Sequence, residues 1–310
     1  MNEAIVKVEN LSHRYNSQWA VKDINFELDR NGIYGLLGAN GAGKSTIMNI
    51  MCGVLNQTQG EVSIKGVNMR THPVEAKKYI GFLPQKPPLL MDLTVEEYLE
   101  HAAGIRLMPE SKIREAIGEA MEKVGISHFN KRLIRNLSGG YQQRVGIAQA
   151  IIHKPDFVVM DEPTNGLDPN QILEVRNLIR EIASERTVVL STHILQEVQA
   201  LCDNIWMINQ GTVAFAGSME EFDGYILPST LVLSMISAPP LDEFLSIPGV
   251  MNIEPLGGIR YRVQYTQAQE TMERIIETSV QKKWRLLEIS LEKMSLENVF
   301  AALSQNKTAR

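Results

Sequence analysis

Apolar and polar residues alternate from Ala4 to Glu9 and predict a strand, and a second is predicted from Val21 to Leu28. Ile33 to Leu37 is continuously apolar and too short for a helix, so it reads as a buried strand. The glycine-rich stretch Gly38 to Gly43 ends it, and a helix is predicted from about Lys44. Thr94 and Glu97 have capping-box spacing at the head of a helix running to about Leu107, and another helix is predicted from Lys112 to Val124. The two read as a helical insertion. A further helix is predicted from Gly139 to His153, stopped by Pro155.

Phe157 to Met160 and Thr187 to Ser191 repeat the short buried-strand pattern. Between them, Asp168 and Pro169 predict a helix start, cap followed by proline, with the helix reaching about Ser184. A helix over Leu195 to Cys202 and a hairpin turn at Asn209-Gln210-Gly211 follow. Strands alternating with helices imply an α/β fold with a largely parallel sheet covered on both faces. Composition shifts near Asp223. From Ser229 to Gln305 the pattern reads strand, helix, strand, strand, helix, strand, helix, with Gly257-Gly258 as a hairpin turn, which suits a small ferredoxin-like α+β domain.

Composition excludes several classes. The 310 residues favour a main domain with an accessory one, and 44% hydrophobic residues are enough for a core. Net charge is −5, from 31 basic and 36 acidic residues, which argues against nucleic acid as the main partner. Cys52 and Cys202 form no CxxC pair and read as small buried hydrophobes in a reducing compartment. The N-terminus lacks the pattern of a signal peptide, and no run of about 18 apolar residues occurs, so a cytoplasmic chain is expected.

Two segments carry chemistry by their residue types alone. Gly38-Ala39-Asn40-Gly41-Ala42-Gly43-Lys44-Ser45, followed by Thr46, fits GxxxxGK[ST] between a buried strand and a helix. Its glycines let backbone N–H groups curl around an anion, and the helix start adds a positive dipole end. Lys44 can neutralise the β- and γ-phosphates, and the Ser45 hydroxyl can ligate Mg²⁺. Asp161 and Glu162 end the strand Phe157 to Met160, where acids line the ligand crevice of such sheets. Asp161 is expected to support Mg²⁺ and Glu162 to orient or deprotonate water for attack on the γ-phosphate.

The segment Leu137-Ser138-Gly139-Gly140-Tyr141-Gln142-Gln143-Arg144 places a serine and two glycines at a helix start, and it closely resembles the signature motif of the ATP-binding cassette (ABC) family. Tyr15 resembles the residue that stacks on adenine, and Gln85 in Gly81-Phe82-Leu83-Pro84-Gln85 resembles the Q-loop glutamine. Asn165-Gly166-Leu167-Asp168 resembles the D-loop, although alanine or serine is more usual at its first two positions, and His193 resembles the switch histidine. The resemblance covers Ile5 to about Phe222. It implies a P-loop NTPase cassette in residues 1–222, with a helical subdomain at about 86–150, and leaves residues 223–310 as the accessory domain.

The resemblance also implies roles. Gln85 would contact Mg²⁺ and sense the γ-phosphate, and His193 would hydrogen-bond the γ-phosphate. Ser138, Gly139 and Gly140 would cap the γ-phosphate of ATP held by a second copy, with Asp168 at the seam of the homodimer. Leu167 to Gln171, Leu190 to Val198 and the late segments Leu286 to Ile289 and Leu296 to Phe300 resemble the ATPases of ABC-2 type exporters, among them gliding-motility, copper-processing and drug-export members. That branch implies a separate transmembrane permease and a peripheral position on the cytoplasmic side of the membrane. A soluble cassette ATPase acting on ribosomes or DNA is the alternative; the single cassette, the short stretch between Gln85 and Ser138 and the acidic charge stand against it.

Overall fold

The computed structural model describes residues 4–225, 230–237 and 239–292. The chain divides into two compact units, Met1–Met219 and Glu220–Arg310.

The first unit opens with β1 (Val6–Tyr15) and β2 (Gln18–Leu28), an antiparallel pair. The alternation that predicts β1 stops at Glu9, yet the strand runs on to Tyr15. The reason is a bulge: Asn10 has φ 49° and the register shifts between Val8 and Leu11, so the period of two breaks while pairing continues. β3 (Gly32–Leu37) then leads into the phosphate loop and α1 (Lys44–Met51) leaves it. β4 (Gln59–Ile64), β5 (Val67–Asn68), the short α2 (Pro73–Ala76) and β6 (Ile80–Leu83) follow. The helical insertion consists of α3 (Val95–Ile105), α4 (Glu110–Lys123) and α5 (Gly139–Ile151). β7 (Phe157–Asp161), α6 (Pro169–Ala183), β8 (Thr187–Thr192), α7 (Leu195–Leu201), β9 (Asn204–Asn209) and β10 (Thr212–Ser218) complete the run, and α8 (Met219–Tyr225) starts at the boundary with the second unit.

These strands form two sheets, where the sequence implied one. Order β10-β9-β3-β8-β7-β6 makes a six-stranded sheet, parallel except at β10. Order β2-β1-β4-β5 makes a separate antiparallel sheet. Between the two, side chains such as Val8, Leu11, Ile24, Met48, Val62 and Phe157 form one buried cluster. The β9–β10 hairpin turns at Gln210 and Gly211, both at positive φ, as a two-residue primed turn requires.

Register in the parallel sheet places the chemistry. Leu37 pairs with Thr192 and Asp161 with Ser191, so the C-terminal ends of β3, β7 and β8 lie side by side. Leu83 pairs with Met160, which brings Gln85, two residues on, to the same edge. Ligands bind outside this edge in open α/β sheets.

The second unit contains β11 (Thr230–Met235), α9 (Leu241–Leu245), β12 (Val250–Gly257), β13 (Arg260–Tyr265), α10 (Ala268–Gln281) and β14 (Leu286–Leu291). The sheet order is β12-β13-β11-β14, antiparallel throughout, which is the ferredoxin-like βαββαβ arrangement. Its own core holds Leu231, Leu233, Phe244, Val263, Ile275 and Trp284. The last predicted helix, with Leu296 to Phe300, lies outside the described residues.

Candidate active site

The loop from Gly38 to Ser45 wraps the N-terminus of α1. Gly43 caps that helix at φ 109°, and a β-carbon there would stand 2.6 Å from Val21 Cγ1 and 2.8 Å from the Ala20 carbonyl oxygen. Conformation and space both demand glycine. Ala42 is buried beneath the loop, and its carbonyl accepts from Gly211 N at 3.0 Å. Lys44 is buried, and its Nζ donates to the carbonyls of Gly38 (2.8 Å) and Ala39 (3.1 Å). Burial pulls its pKa below the ordinary lysine value, while Glu162 and Asp161 pull the other way. A cavity of about 710 Å³ opens above the loop. Asn40, Gly41, Gly43, Lys44, Ser45 and Thr46 form one side of it. Gln85, Glu162, Asn165 and His193 form another, and Tyr15 stands at the rim, half exposed, edge-on to His13 at 4.7 Å.

The acids end β7 and start a sharp turn. Asp161 is buried and accepts from Ser191 Oγ across the β7–β8 pair. Glu162 follows in the left-handed region at φ 48°, and its N–H donates to Ser191 Oγ at 3.0 Å. Such strained backbone, held by its surroundings, turns the carboxylate into the cavity. Three side chains meet it there. Gln85 Nε2 and Asn165 Nδ2 each donate to Oε2 at 3.0 Å, and His193 Nδ1 lies 2.9 Å from Oε1. The resemblance puts Gln85 on Mg²⁺ and His193 on a phosphate oxygen; here both bond to Glu162. A carboxylate only accepts, so Nδ1 carries the proton in this contact.

Three further residues around this turn have no role assigned by the sequence pattern. Asn165 sits at the usual place of a smaller residue, and its i to i+3 turn spacing from Glu162 was the available signal. Ser191 reaches Asp161 only through strand register. Gln143, buried on α5, donates to the Pro163 carbonyl at 2.8 Å and ties the signature helix to the turn holding Glu162.

The signature residues lie elsewhere. Ser138 is the N-cap residue of α5, yet its side chain makes no capping bond and is exposed, as is Gly139. Gly140 is buried, and a β-carbon on it would stand 2.5 Å from Gln171 Cδ. None of the three lines the cavity above Lys44. Asp168 caps α6 as expected, accepting from Asn170 N and Gln171 N at 3.0 Å each.

Ser45 hydroxyl, Asp161 carboxylate and Gln85 amide oxygen are hard oxygen donors suited to Mg²⁺. Among the described residues, no group of three or more His, Cys, Asp or Glu could hold a metal alone. That donor set fits an ion bound by few protein ligands and completed by substrate phosphates.

A glycine-rich loop at a helix start, a buried lysine within it and two acids beside it define a P-loop nucleoside triphosphatase. The model of the "ABC transporter" family matches residues 21–165. Bacitracin transport ATP-binding protein BcrA of Bacillus licheniformis is 39% identical over 209 residues, 67% of this chain and 67% of that protein. Lantibiotic transport ATP-binding protein SrtF of Streptococcus pyogenes is 34% identical over 221 residues, 71% of this chain and 92% of that protein. A dimeric, post-hydrolysis structure of the ATP-binding cassette MJ0796 bound to ADP and Pi superposes with a TM-score of 0.63 at 26% identity, over 69% of this chain and 98% of that one. The chain belongs to the family of ABC transporter ATP-binding proteins, and it is an ATPase. Such subunits work with transmembrane permease partners. No helix among the described residues is long and apolar enough to cross a membrane.

Proposed function

We propose that this chain powers an ABC-2 type exporter by cycles of ATP-driven dimerisation and hydrolysis. The observation that carries the reading is the split between two halves of a site. The cavity above Lys44 collects Gln85, Glu162 and His193, while Ser138 and Gly139 present an uncapped hydroxyl and a bare helix N-terminus to solvent away from it. A helix N-terminus with a free hydroxyl suits a phosphate. Two copies related by a two-fold axis would bring each signature segment onto the other's ATP.

Within that arrangement Tyr15 stacks on adenine, the loop from Gly38 to Thr46 holds the phosphates, and Lys44 neutralises them. Ser45, Asp161 and Gln85 would hold Mg²⁺, which would supply neutralisation of phosphate charge when bound. Glu162 takes the proton of the attacking water, and His193 and Gln85 hold its carboxylate in line. Asp168 stiffens the seam by capping α6. ATP binds the closed dimer better than the open one, so loss of the γ-phosphate opens it.

The exporter branch rests on the resemblance of the segments around Asp168 and His193, and on relatives named for bacitracin and lantibiotic transport. The permease surface we assign is a largely apolar groove of about 1080 Å³ between the helical insertion and the sheet, lined by Phe82, Leu90, Tyr98 and Ile105, with Arg106 and His153 as polar points. Its wall is β6, which leads to Gln85, so an occupant there can reach Glu162 through one strand end.

The test is purification of the tagged chain from its native membrane. Co-purification of a polytopic protein is the expected result, lost when Tyr98→Arg fills the groove. Recovery only with ribosomes or DNA would sink the exporter reading.

A further inference from the structure

One enclosed carboxylate has no part in the chemistry above. Glu197, on α7, is 4% exposed. Its Oε1 accepts from Thr164 Oγ1, and its Oε2 accepts from Thr192 Oγ1 at 2.9 Å. Arg176 Nη2, from α6, lies 4.0 Å from Oε1 and supplies the nearest counter-charge, while its buried Nε makes no hydrogen bond. Burying a carboxylate with its nearest counter-charge 4.0 Å away is costly and unusual unless it fixes something.

What it fixes is read from the neighbours of the two threonines. Thr164 stands two residues after Glu162 in the same turn, and Thr192 immediately precedes His193. His193 Nδ1 and Glu162 Oε1 are 2.9 Å apart. The contacts therefore close a ring: Glu162 to Thr164 along the chain, Thr164 to Glu197 to Thr192 by hydrogen bonds, Thr192 to His193 along the chain, and His193 back to Glu162. Thr192 Oγ1 also accepts from Ile194 N at 3.0 Å, which directs its proton to Glu197. The two hydroxyls donate to different terminal atoms of one side chain, which suits a carboxylate, both of whose oxygens accept, better than an amide, whose nitrogen only donates.

We propose that Glu197 is a positioning residue for ATP hydrolysis, setting the Glu162–His193 geometry by holding the two segments that carry them. It touches neither nucleotide nor water. The proposal rests on the roles proposed for Glu162 and His193. Displacing a reacting group by about 1 Å costs on the order of 10²-fold in rate, so the effect belongs in kcat and not in nucleotide affinity.

The experiment measures kcat, KM and ATP affinity of the full chain, with melting temperature alongside. Glu197→Ala is expected to lower kcat about 10–100-fold with KM and ATP affinity within about two-fold, and Glu197→Gln to fall between it and wild type. Because Glu197→Ala can fail to fold, the threonines decide independently. Thr164→Val and Thr192→Val are expected to lower kcat more than about five-fold, and Thr164→Ser and Thr192→Ser to restore it to within about two-fold, measured well below the melting temperature, which loss of a hydroxyl to buried Glu197 lowers. Wild-type kcat in both valine variants, or loss confined to the melting temperature, overturns the proposal. Glu162→Gln and His193→Ala run in the same assay. If they retain full turnover, the roles of Glu162 and His193 fall and the proposal with them. If they abolish it while the valine variants are normal, only the ring falls.

Discussion

At the scale of single residues, the site turns on one carboxylate. Glu162 is held by three side chains and by a backbone conformation that ordinary residues avoid. Glu162→Gln removes the proposed base and puts an amide where Gln85 and Asn165 both donate. Turnover is expected to fall by about 10²–10⁴-fold, as for loss of a general base, with ATP binding retained because Lys44 and its loop are untouched. Phosphate release and equilibrium nucleotide binding check the two halves; full ATPase rate in the variant would show that Glu162 is not the base. His193 adds a constraint. With Nδ1 donating to Glu162, Nε2 can donate to a phosphate oxygen only as imidazolium or after the Glu162 bond is released. The loop from Gly38 to Ser45 was legible because its chemistry sits in consecutive residues. Ser191 and Gln143 were not, because each reaches the site across 20 or more positions of sequence through strand pairing or helix packing.

At the scale of elements, legibility followed burial. Ile33 to Leu37, Phe157 to Met160 and Val188 to Leu190 lie in the parallel sheet, covered on both faces, and so read as short continuous apolar runs. β4 alternates only over Glu61 to Ile64, and β6 is four residues long, so each pattern is too short to stand out alone. The cap of α3 was legible and is complete: Thr94 Oγ1 accepts from Glu97 N at 3.3 Å, and Glu97 Oε2 accepts from Thr94 N at 2.8 Å. Thr94→Ala is expected to destabilise the chain by about 1 kcal/mol, read as a lower midpoint in denaturant unfolding. In the second unit Arg262 donates through Nε and Nη2 to Glu292, beside Thr230. These bonds, the Arg262 bonds first, hold the Glu292 carboxyl below its usual range. A depressed acid stabilises above its unfolded pKa and loses that contribution as pH falls through its folded pKa. Both groups are partly exposed, so the effect is modest. Amide exchange across Thr230–Met235 should therefore quicken as pH drops below about 4, after correction for the intrinsic rate, and Arg262→Met should remove that dependence.

At the scale of the whole molecule, the motifs belong to one cassette, and their separation in space has the sharpest consequence. Lys44 lines a cavity that Ser138 does not, and in the proposed dimer a shared site would take its loop from one copy and its signature from the other. Each single defect then inactivates a homodimer in a different half. Lys44→Ala removes the loop lysine from both sites, and Ser138→Arg puts a bulky cation on both signature helices without touching either loop. A mixed dimer behaves differently: the site built from the loop of the Ser138→Arg chain and the signature of the Lys44→Ala chain is intact. With free exchange and equal amounts, half of the dimers are mixed and each carries one whole site of two. Mixing two inactive preparations should thus restore up to about a quarter of the wild-type rate per chain, provided one site turns over alone. A site contained within one chain predicts no restoration at any ratio. Measuring phosphate release against mixing ratio separates the two, because the shared site requires a maximum near equal amounts and zero at both ends.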